Sequence, residues 1–81
     1  MHFGDQPITL GRDPKNALVL RDEGISQVHA EVRLEGTRLH LRDLGSKNGT
    51  FVNDERIVSR MLEAGDVIGL GGETRILFQA A

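Results

Sequence analysis

The chain has 81 residues, a formal net charge of −2 and no cysteine. A chain of this length predicts one domain over residues 1–81, and without thiols it can form neither disulfides nor thiolate zinc sites. The 10 Lys and Arg against 12 Asp and Glu, with 3 Phe and no Trp or Tyr, argue against nucleic-acid binding. No apolar run is long enough to span a membrane, and no signal peptide is visible. We therefore expect a cytoplasmic protein that binds neither membrane nor nucleic acid.

Short apolar runs separated by glycine predict an all-β protein. Ala30, Val32 and Leu34 alternate with charged residues, which is the period of a strand with one buried face. Several such runs, separated by turn residues, predict an antiparallel β-sandwich. The predicted turns are Glu35–Gly36, Asn53–Asp54 and Gly71–Gly72. The predicted strands are Ile8–Leu10, Ala17–Leu20, His29–Leu34, Thr37–Leu44, Thr50–Asn53, Val67–Leu70 and Thr74–Gln79.

Polar segments interrupt these strands at Gly11–Arg12, Ser26–His29 and Gly45–Gly49. Arg12 offers planar donors that are always charged, and Lys47 offers a mobile ammonium group. Ser26 adds a hydroxyl donor at little desolvation cost. Loops with this chemistry, held by strands on both sides, present donors in a fixed geometry. We interpret the three segments as one site for an anionic or peptide-like ligand.

Four short motifs stand in a fixed order along the chain. They are Gly11-Arg12, Ser26-x-x-His29-Ala30, Asp43-Leu44-Gly45-Ser46-x-Asn48-Gly49-Thr50-Phe51-Val52-Asn53 and Gly65-Asp66-x-Ile68. Each motif alone is weak, but their order and spacing on an all-β pattern are specific. Together they resemble a forkhead-associated domain of the compact bacterial type. The resemblance covers roughly residues 8–78, which is most of the chain.

This resemblance implies a β-sandwich whose loops at one end bind phosphothreonine peptides in Ser/Thr kinase signalling. Three scattered His and no Cys give no metal-ligand spacing, so we expect neither a metal nor a cofactor. The phosphate-binding roles of the family correspond to Arg12, Ser26 and Lys47 in this sequence, with Gln27 beside them. The residue that bonds the peptide backbone corresponds to Asn48. The positions that support the shape of the loops correspond to Gly11, His29, Gly49 and Thr50.

The chain departs from the family pattern in three places. Gln27 is a neutral amide where many members have Arg, so it can donate to a phosphate but cannot pair with its charge. Asp54 replaces a common Gly, a change we expect to matter little because Asp tolerates such turns. Family domains usually have a strand and a hairpin before the stretch that begins at Phe3. A missing or trimmed first strand is therefore expected, leaving a sheet edge that promotes self-association and marginal stability.

Two other classes of function compete with this interpretation. A hydrolase would use Ser26, His29 and Asp43 as a catalytic triad, but the chain has no nucleophile elbow and is short for an enclosed pocket. We therefore expect a protein that is not an enzyme. The second alternative is a protein-interaction domain of the same fold that does not depend on phosphorylation. The neutral Gln27 favours this alternative, whereas the presence of Arg12, Ser26 and Asn48 together argues against it.

Overall fold

The computed structural model describes residues 7–79, which form two β-sheets. The first sheet has the strand order β2-β1-β3-β4-β7, and the second has the order β6-β5-β8-β9. The strands are β1 (Ile8–Gly11), β2 (Leu18–Val19), β3 (Ala30–Glu35), β4 (Arg38–Asp43), β5 (Thr50–Val52), β6 (Glu55–Ile57), β7 (Ser59–Met61), β8 (Val67–Leu70) and β9 (Thr74–Leu77). Within the described part of the chain, no helix has the length and apolar character needed to cross a membrane.

Apolar side chains from both sheets form one core between them. Leu41 of the first sheet and Val52 and Leu70 of the second are fully buried. The predicted alternation on β3 is seen in Ala30 and Val32, which are buried, whereas Leu34 near the end of the strand is 45% exposed. The other buried apolar residues are Ile8, Leu10, Ile25, Leu62 and Ile68. The predicted β-sandwich is confirmed.

One strand pair departs from the antiparallel arrangement. β1 and β2 run parallel, with Leu10 opposite Leu18 and Gly11 opposite Val19. Parallel neighbours ordinarily need a long crossover connection. β2 contains only 2 residues, so the chain has to travel back only a short distance from the end of β1 to the start of β2. The short 12–17 loop is sufficient for this.

The short strands β6 and β7 were not predicted from the sequence. They contain Glu-Arg-Ile and Ser-Arg-Met, which show no clear apolar alternation. β6 lies at the edge of the second sheet, where it pairs with β5. β7 lies at the edge of the first sheet, where it pairs with β4. Their strand conformation therefore depends on neighbouring strands rather than on a local pattern.

The predicted turns are present, with one shifted along the chain. Glu35 pairs with Arg38, so the turn after β3 consists of Gly36 and Thr37 and not of Glu35 and Gly36. The turn between β5 and β6 is the predicted one, and both Asn53 (φ 51°) and its successor (φ 68°) have the positive φ of a tight hairpin. The loop between β8 and β9 covers residues 71–73 and contains both predicted glycines.

The register of the strands brings four polar loops to one end of the sandwich. In the first sheet, Ala30 lies beside Leu10 on one side and Asp43 on the other. In the second sheet, Leu70 lies beside Thr50 and Thr74. The 44–49 loop connects Asp43 directly to Thr50, so the paired residues of the first sheet and those of the second lie at the same end of the sandwich. The 12–17, 20–29, 44–49 and 71–73 loops all begin or end there.

Candidate functional site

Asp43, the last residue of β4, organises the 44–49 loop. Its carboxylate accepts hydrogen bonds from the backbone N–H groups of Gly45 and Ser46, each at 3.1 Å, and from the hydroxyls of Ser46 at 2.5 Å and Thr50 at 2.7 Å. Burial acts to raise the pKa of Asp43, but the hydrogen bonds from Ser46 and Thr50 outweigh it and hold the pKa below its usual value. The Ser46 hydroxyl accepts the N–H of Gly49 at 3.0 Å. The loop is thus held in shape by its own residues.

The fully buried His29 joins the 20–29 loop to the 44–49 loop. Its Nδ1 accepts the backbone N–H of Ser26 at 3.0 Å, and its Nε2 lies 2.8 Å from the carbonyl oxygen of Gly49. Since Nδ1 accepts, the proton belongs on Nε2, which donates to Gly49. Both ring nitrogens are therefore occupied by backbone groups, and the carboxylate of Asp43 is bound within its own loop. Ser26, His29 and Asp43 do not form a catalytic triad.

Ser26 contacts both of the cationic residues predicted for the site. The Nε of Arg12 donates to the carbonyl of Ile25 at 2.5 Å, and the backbone N–H of Arg12 donates to the carbonyl of Ser26 at 3.1 Å. The Ser26 hydroxyl accepts the backbone N–H of Lys47 at 3.0 Å, which leaves its own hydrogen free to donate. Arg12 and Lys47 are exposed. The backbone of Lys47 and both the backbone and the side chain of Arg12 are therefore held beside Ser26, which brings residues of three loops together.

The predicted amide residues, Asn48 and Gln27, are both exposed beside these groups. The Nδ2 of Asn48 donates to the carbonyl of Gly24 at 2.8 Å, which leaves Oδ1 as an acceptor. The backbone carbonyl of Gln27 accepts the N–H of Asp13 at 3.1 Å. The side chain of Asn48 and the backbone of Gln27 are thus each hydrogen-bonded to a neighbouring loop, and both residues lie at the surface.

Asn16 is a site residue that the sequence patterns did not single out. It is buried, and its Nδ2 donates to the carbonyls of Asp13 at 2.8 Å and Gln27 at 2.6 Å. This side chain joins the 12–17 loop to the 20–29 loop. The predicted support residue Gly11 lies against the same contact, where the carbonyl of Gln27 leaves no room for a Cβ. An Asn inside a polar loop looks like an ordinary turn residue, so no local signal reveals its role.

A groove of about 790 Å³ runs from Asn48 to the 71–73 loop. At one wall, Asp22 accepts hydrogen bonds from the Thr74 hydroxyl at 2.7 Å and the Gly24 N–H at 2.9 Å, and both bonds lower the pKa of Asp22. The groove is acidic: its lining includes Asp22, Glu23, Asp54 and Glu73, with Arg75 and Phe51 beside them. Among residues 7–79, no three His, Asp or Glu side chains are arranged to hold a metal ion.

The model of the FHA domain family matches residues 8–71. The chain belongs to the FHA domain family. The glycogen accumulation regulator GarA of Mycolicibacterium smegmatis is 44% identical to this FHA domain over 75 residues, which cover 91% of this chain and 47% of GarA. The chain thus spans about half the length of the curated relatives it matches.

Two solved structures that resemble this FHA domain contain a bound partner, a protein domain in one and a phosphopeptide in the other. The FHA domain of FhaA, crystallised with the intracellular domain of Rv3910, is 37% identical with a TM-score of 0.80, covering 88% of this chain and 78% of that chain. Mycobacterium tuberculosis EmbR, in complex with a low affinity phosphopeptide, is 34% identical with a TM-score of 0.85, covering 90% of this chain and 19% of that chain. The family indicated by the four motifs is confirmed.

Proposed function

We propose that this FHA domain binds phosphothreonine in other proteins through Arg12, Ser26, Gln27 and Lys47, while Asn48 holds the peptide backbone. The hydrogen bond of 3.0 Å between the Lys47 N–H and the Ser26 hydroxyl carries the proposal. It joins two loops and leaves the hydrogen of the Ser26 hydroxyl free to donate, while the exposed Arg12 is held nearby by its bonds to the carbonyls of Ile25 and Ser26.

The chemistry of these groups suits a phosphate ester. Phosphothreonine carries a charge of about −1.5 to −2 and three acceptor oxygens. Hydrogen bonds with a charged partner contribute about 1.5–3 kcal/mol each. Two or three such bonds from Arg12, Ser26 and Lys47, with the contact from Asn48, would give about −8 kcal/mol, or micromolar affinity. Binding of that strength suits a reversible contact that appears when a Ser/Thr kinase acts and disappears when the phosphate is removed.

The relatives support a binding role rather than catalysis. EmbR binds a phosphopeptide in its solved complex, and GarA is named as a regulator. Both nitrogens of His29 are occupied by backbone groups, so the site offers no base to the Ser26 hydroxyl. We therefore propose a non-enzymatic signalling domain that works in the cytoplasm, where kinases and their ATP produce phosphothreonine.

The test is a titration with a fluorescent degenerate phosphothreonine peptide, beside its unphosphorylated and phosphoserine versions. We expect saturable binding of the phosphothreonine form alone and its loss in Arg12→Ala. Arg33→Ala is the matched control, because Arg33 is also an exposed Arg but lies near the turn at the opposite end of β3.

Two results would contradict the proposal. If the folded protein bound none of the peptides, or bound them regardless of phosphorylation, the alternative of a phosphorylation-independent interaction domain would take its place. Gln27→Arg would then show whether the neutral amide is the reason, since it adds the charge that this position lacks.

We also propose that the chain self-associates through β9. Strand β9 ends the second sheet, and within residues 7–79 nothing pairs with its outer edge. An apolar cleft of about 270 Å³ opens beside it and is lined in part by Ile76, Leu77 and Phe78. An unpaired edge next to apolar surface can accept a strand from a second copy.

A further inference from the structure

Asn48 and Gly49 form an Asn-Gly pair in the 44–49 loop, and this dipeptide has a chemistry of its own. The backbone nitrogen that follows an Asn can attack the carbon of the side-chain amide, which closes a five-membered succinimide ring and releases ammonia. Water then opens the ring to Asp or isoaspartate. Glycine permits the attack most readily, because it has no Cβ to obstruct ring closure and its backbone is the least restricted. Asn48 is exposed, so water reaches its side chain.

In the folded chain, hydrogen bonds hold both of the groups that would react. The N–H of Gly49, which contains the attacking nitrogen, is buried and donates to the Ser46 hydroxyl at 3.0 Å. The side-chain amide of Asn48 donates through Nδ2 to the carbonyl of Gly24 at 2.8 Å. Attack requires that the nitrogen lose its proton, and release of ammonia removes Nδ2. The reaction therefore breaks both hydrogen bonds.

Gly49 is also held at its other end. Its carbonyl oxygen lies 2.8 Å from Nε2 of the buried His29 and accepts the N–H of Gly71 at 3.3 Å. A residue that is fixed at both its N–H and its carbonyl cannot readily rotate its nitrogen toward the preceding side chain. The 44–49 loop therefore has to open before the ring can close.

We propose that Asn48 is a modification site whose deamidation is controlled by the opening of the 44–49 loop. The Gly49 nitrogen gives its proton to the solvent and bonds to Cγ of Asn48, the bond from Cγ to Nδ2 breaks, and Nδ2 takes up a proton and leaves as ammonia. One water molecule then adds across a ring bond. The product has a carboxylate in place of the donor, so it cannot re-form the bond to the Gly24 carbonyl and its oxygens repel that oxygen.

The experiment follows the deamidation of Asn48 by mass spectrometry of proteolytic peptides after incubation of the full chain at neutral pH. The chain is incubated folded, in low urea, and unfolded in concentrated urea. Asn53 is the internal control, because it is also exposed but precedes Asp54 rather than a glycine.

Two variants test the role of the hydrogen bond to Gly49. Ser46→Ala removes the acceptor of the Gly49 N–H. Ser59→Ala is the matched control, since it makes the same change at an exposed Ser of β7. Unfolding curves give the unfolded fraction of each protein under the conditions of the incubation.

In concentrated urea we expect Asn48 to deamidate faster than Asn53. In the folded wild type, Asn48 should react about tenfold more slowly than in urea, or slower still, because two hydrogen bonds have to break first. Ser46→Ala should raise the rate of the folded protein about threefold or more, and Ser59→Ala should not change it. Low urea should leave the folded rates nearly unchanged, because a loop that opens exposes little surface compared with global unfolding.

Three results would overturn the inference. They are equal rates at Asn48 in the folded and unfolded chains, an unfolded chain in which Asn48 is no faster than Asn53, and folded rates that rise with urea in proportion to the unfolded fraction. The last result can be read from the wild type alone, so the test holds even if Ser46→Ala does not fold.

The effect of deamidation on binding rests on the proposed function of the site. Asn48→Asp reproduces one of the two products, and we expect it to weaken phosphothreonine peptide binding about tenfold, through the lost donor and the added charge. Unchanged affinity in a folded Asn48→Asp would contradict the proposed role of Asn48 in binding, whereas the deamidation rates decide the inference independently.

Discussion

At the scale of single residues, Asp43 shows how one carboxylate can shape a binding loop. It accepts two backbone N–H groups and two hydroxyls, from Gly45, Ser46 and Thr50. A carboxylate that accepts several hydrogen bonds is stabilised in its charged form, which lowers its pKa. Because the same loop provides Lys47 and Asn48, the ionised form of Asp43 supports the proposed site without contacting the ligand.

We predict that Asp43→Asn lowers the stability of the fold and also makes that stability less dependent on pH. The amide keeps the shape but brings an N–H toward donors, so the free energy of unfolding should fall by about 1–3 kcal/mol. Because the pKa of Asp43 is lowered on folding, its contribution is present above its unfolded value of about 3.9 and is lost as the pH falls below it. Thermal unfolding by circular dichroism between about pH 6 and about pH 3 should therefore show a smaller drop in Tm for the variant.

The residual acid dependence of that variant has two expected sources. The pKa of Asp22 is lowered by the hydrogen bonds from Thr74 and Gly24, and the pKa of Asp66 by those from the Glu63 N–H and Asn53. If Asp43→Asn had the same slope of Tm against pH as the wild type, Asp43 would not contribute to the acid dependence.

At the scale of elements, the site depends on how closely the 71–73 loop approaches the 20–29 loop. A Cβ built on Gly71 would lie 2.5 Å from the carbonyl oxygen of Gly24, and that same oxygen accepts the side chain of Asn48. The bond from the Thr74 hydroxyl to Asp22 joins the two loops a second time. The β8–β9 hairpin thus positions the backbone on which Asn48 rests.

We predict that Gly71→Ala destabilises the protein more than Gly36→Ala and also weakens phosphopeptide binding. The two glycines have nearly the same φ, +65° and +63°, so the cost of a positive φ, about 1–2 kcal/mol, applies equally to both. Only Gly71 has a neighbour in the way, because nothing lies within 4 Å of a Cβ at Gly36. Urea denaturation measures the stability difference, and the phosphothreonine peptide titration measures the effect on the site.

The comparison of Gly71→Ala with Gly36→Ala separates the cost of the positive φ from the cost of the steric clash between the loops. Equal losses of stability in the two variants would mean that the 71–73 and 20–29 loops can move apart at no cost. Binding that is unchanged in Gly71→Ala would mean that Asn48 does not depend on the position of Gly24, although the two are hydrogen-bonded at 2.8 Å.

At the scale of the whole molecule, residues 7–79 leave an apolar cleft between the two sheets beside β9. The cleft between the sheets is lined by core residues such as Ile8, Leu10 and Ile68, and also by the half-exposed Leu77. β9 has β8 on one side and no partner on the other within residues 7–79. The apolar lining and the free backbone groups lie together, which is why we place the proposed self-association there.

We predict a concentration-dependent dimer in sedimentation experiments and its loss in Leu77→Lys. A lysine on an edge strand disfavours pairing with another chain because its charge would have to be buried or brought close to a second charge. Val58→Lys is the matched control, since Val58 is 80% exposed and lies between β6 and β7, away from this edge. A monomer at all concentrations, or a dimer that persists in Leu77→Lys, would contradict the proposal.

The amino-acid sequence by itself determined the fold class and the family. The alternation in β3 is a local pattern, since neighbouring side chains point to opposite faces of any strand. The turns also have local causes: Asn53 and Gly36 tolerate the positive φ that their positions require. The polar segments that contain Arg12, Ser26 and Lys47 were predicted to form one site from the donor chemistry of loops held by strands, and the structure does bring these segments together.

Only the tertiary structure decided which distant residues support those segments. Asn16 has no local feature that reveals its hydrogen bond to the carbonyl of Gln27 in another loop. β6 and β7 become strands because β5 and β4 offer them backbone partners. The parallel register of β1 and β2 alone places Arg21 beside Arg12. Each of these features depends on pairing between segments that are separate in the chain, and such pairing leaves no periodic signal in either segment.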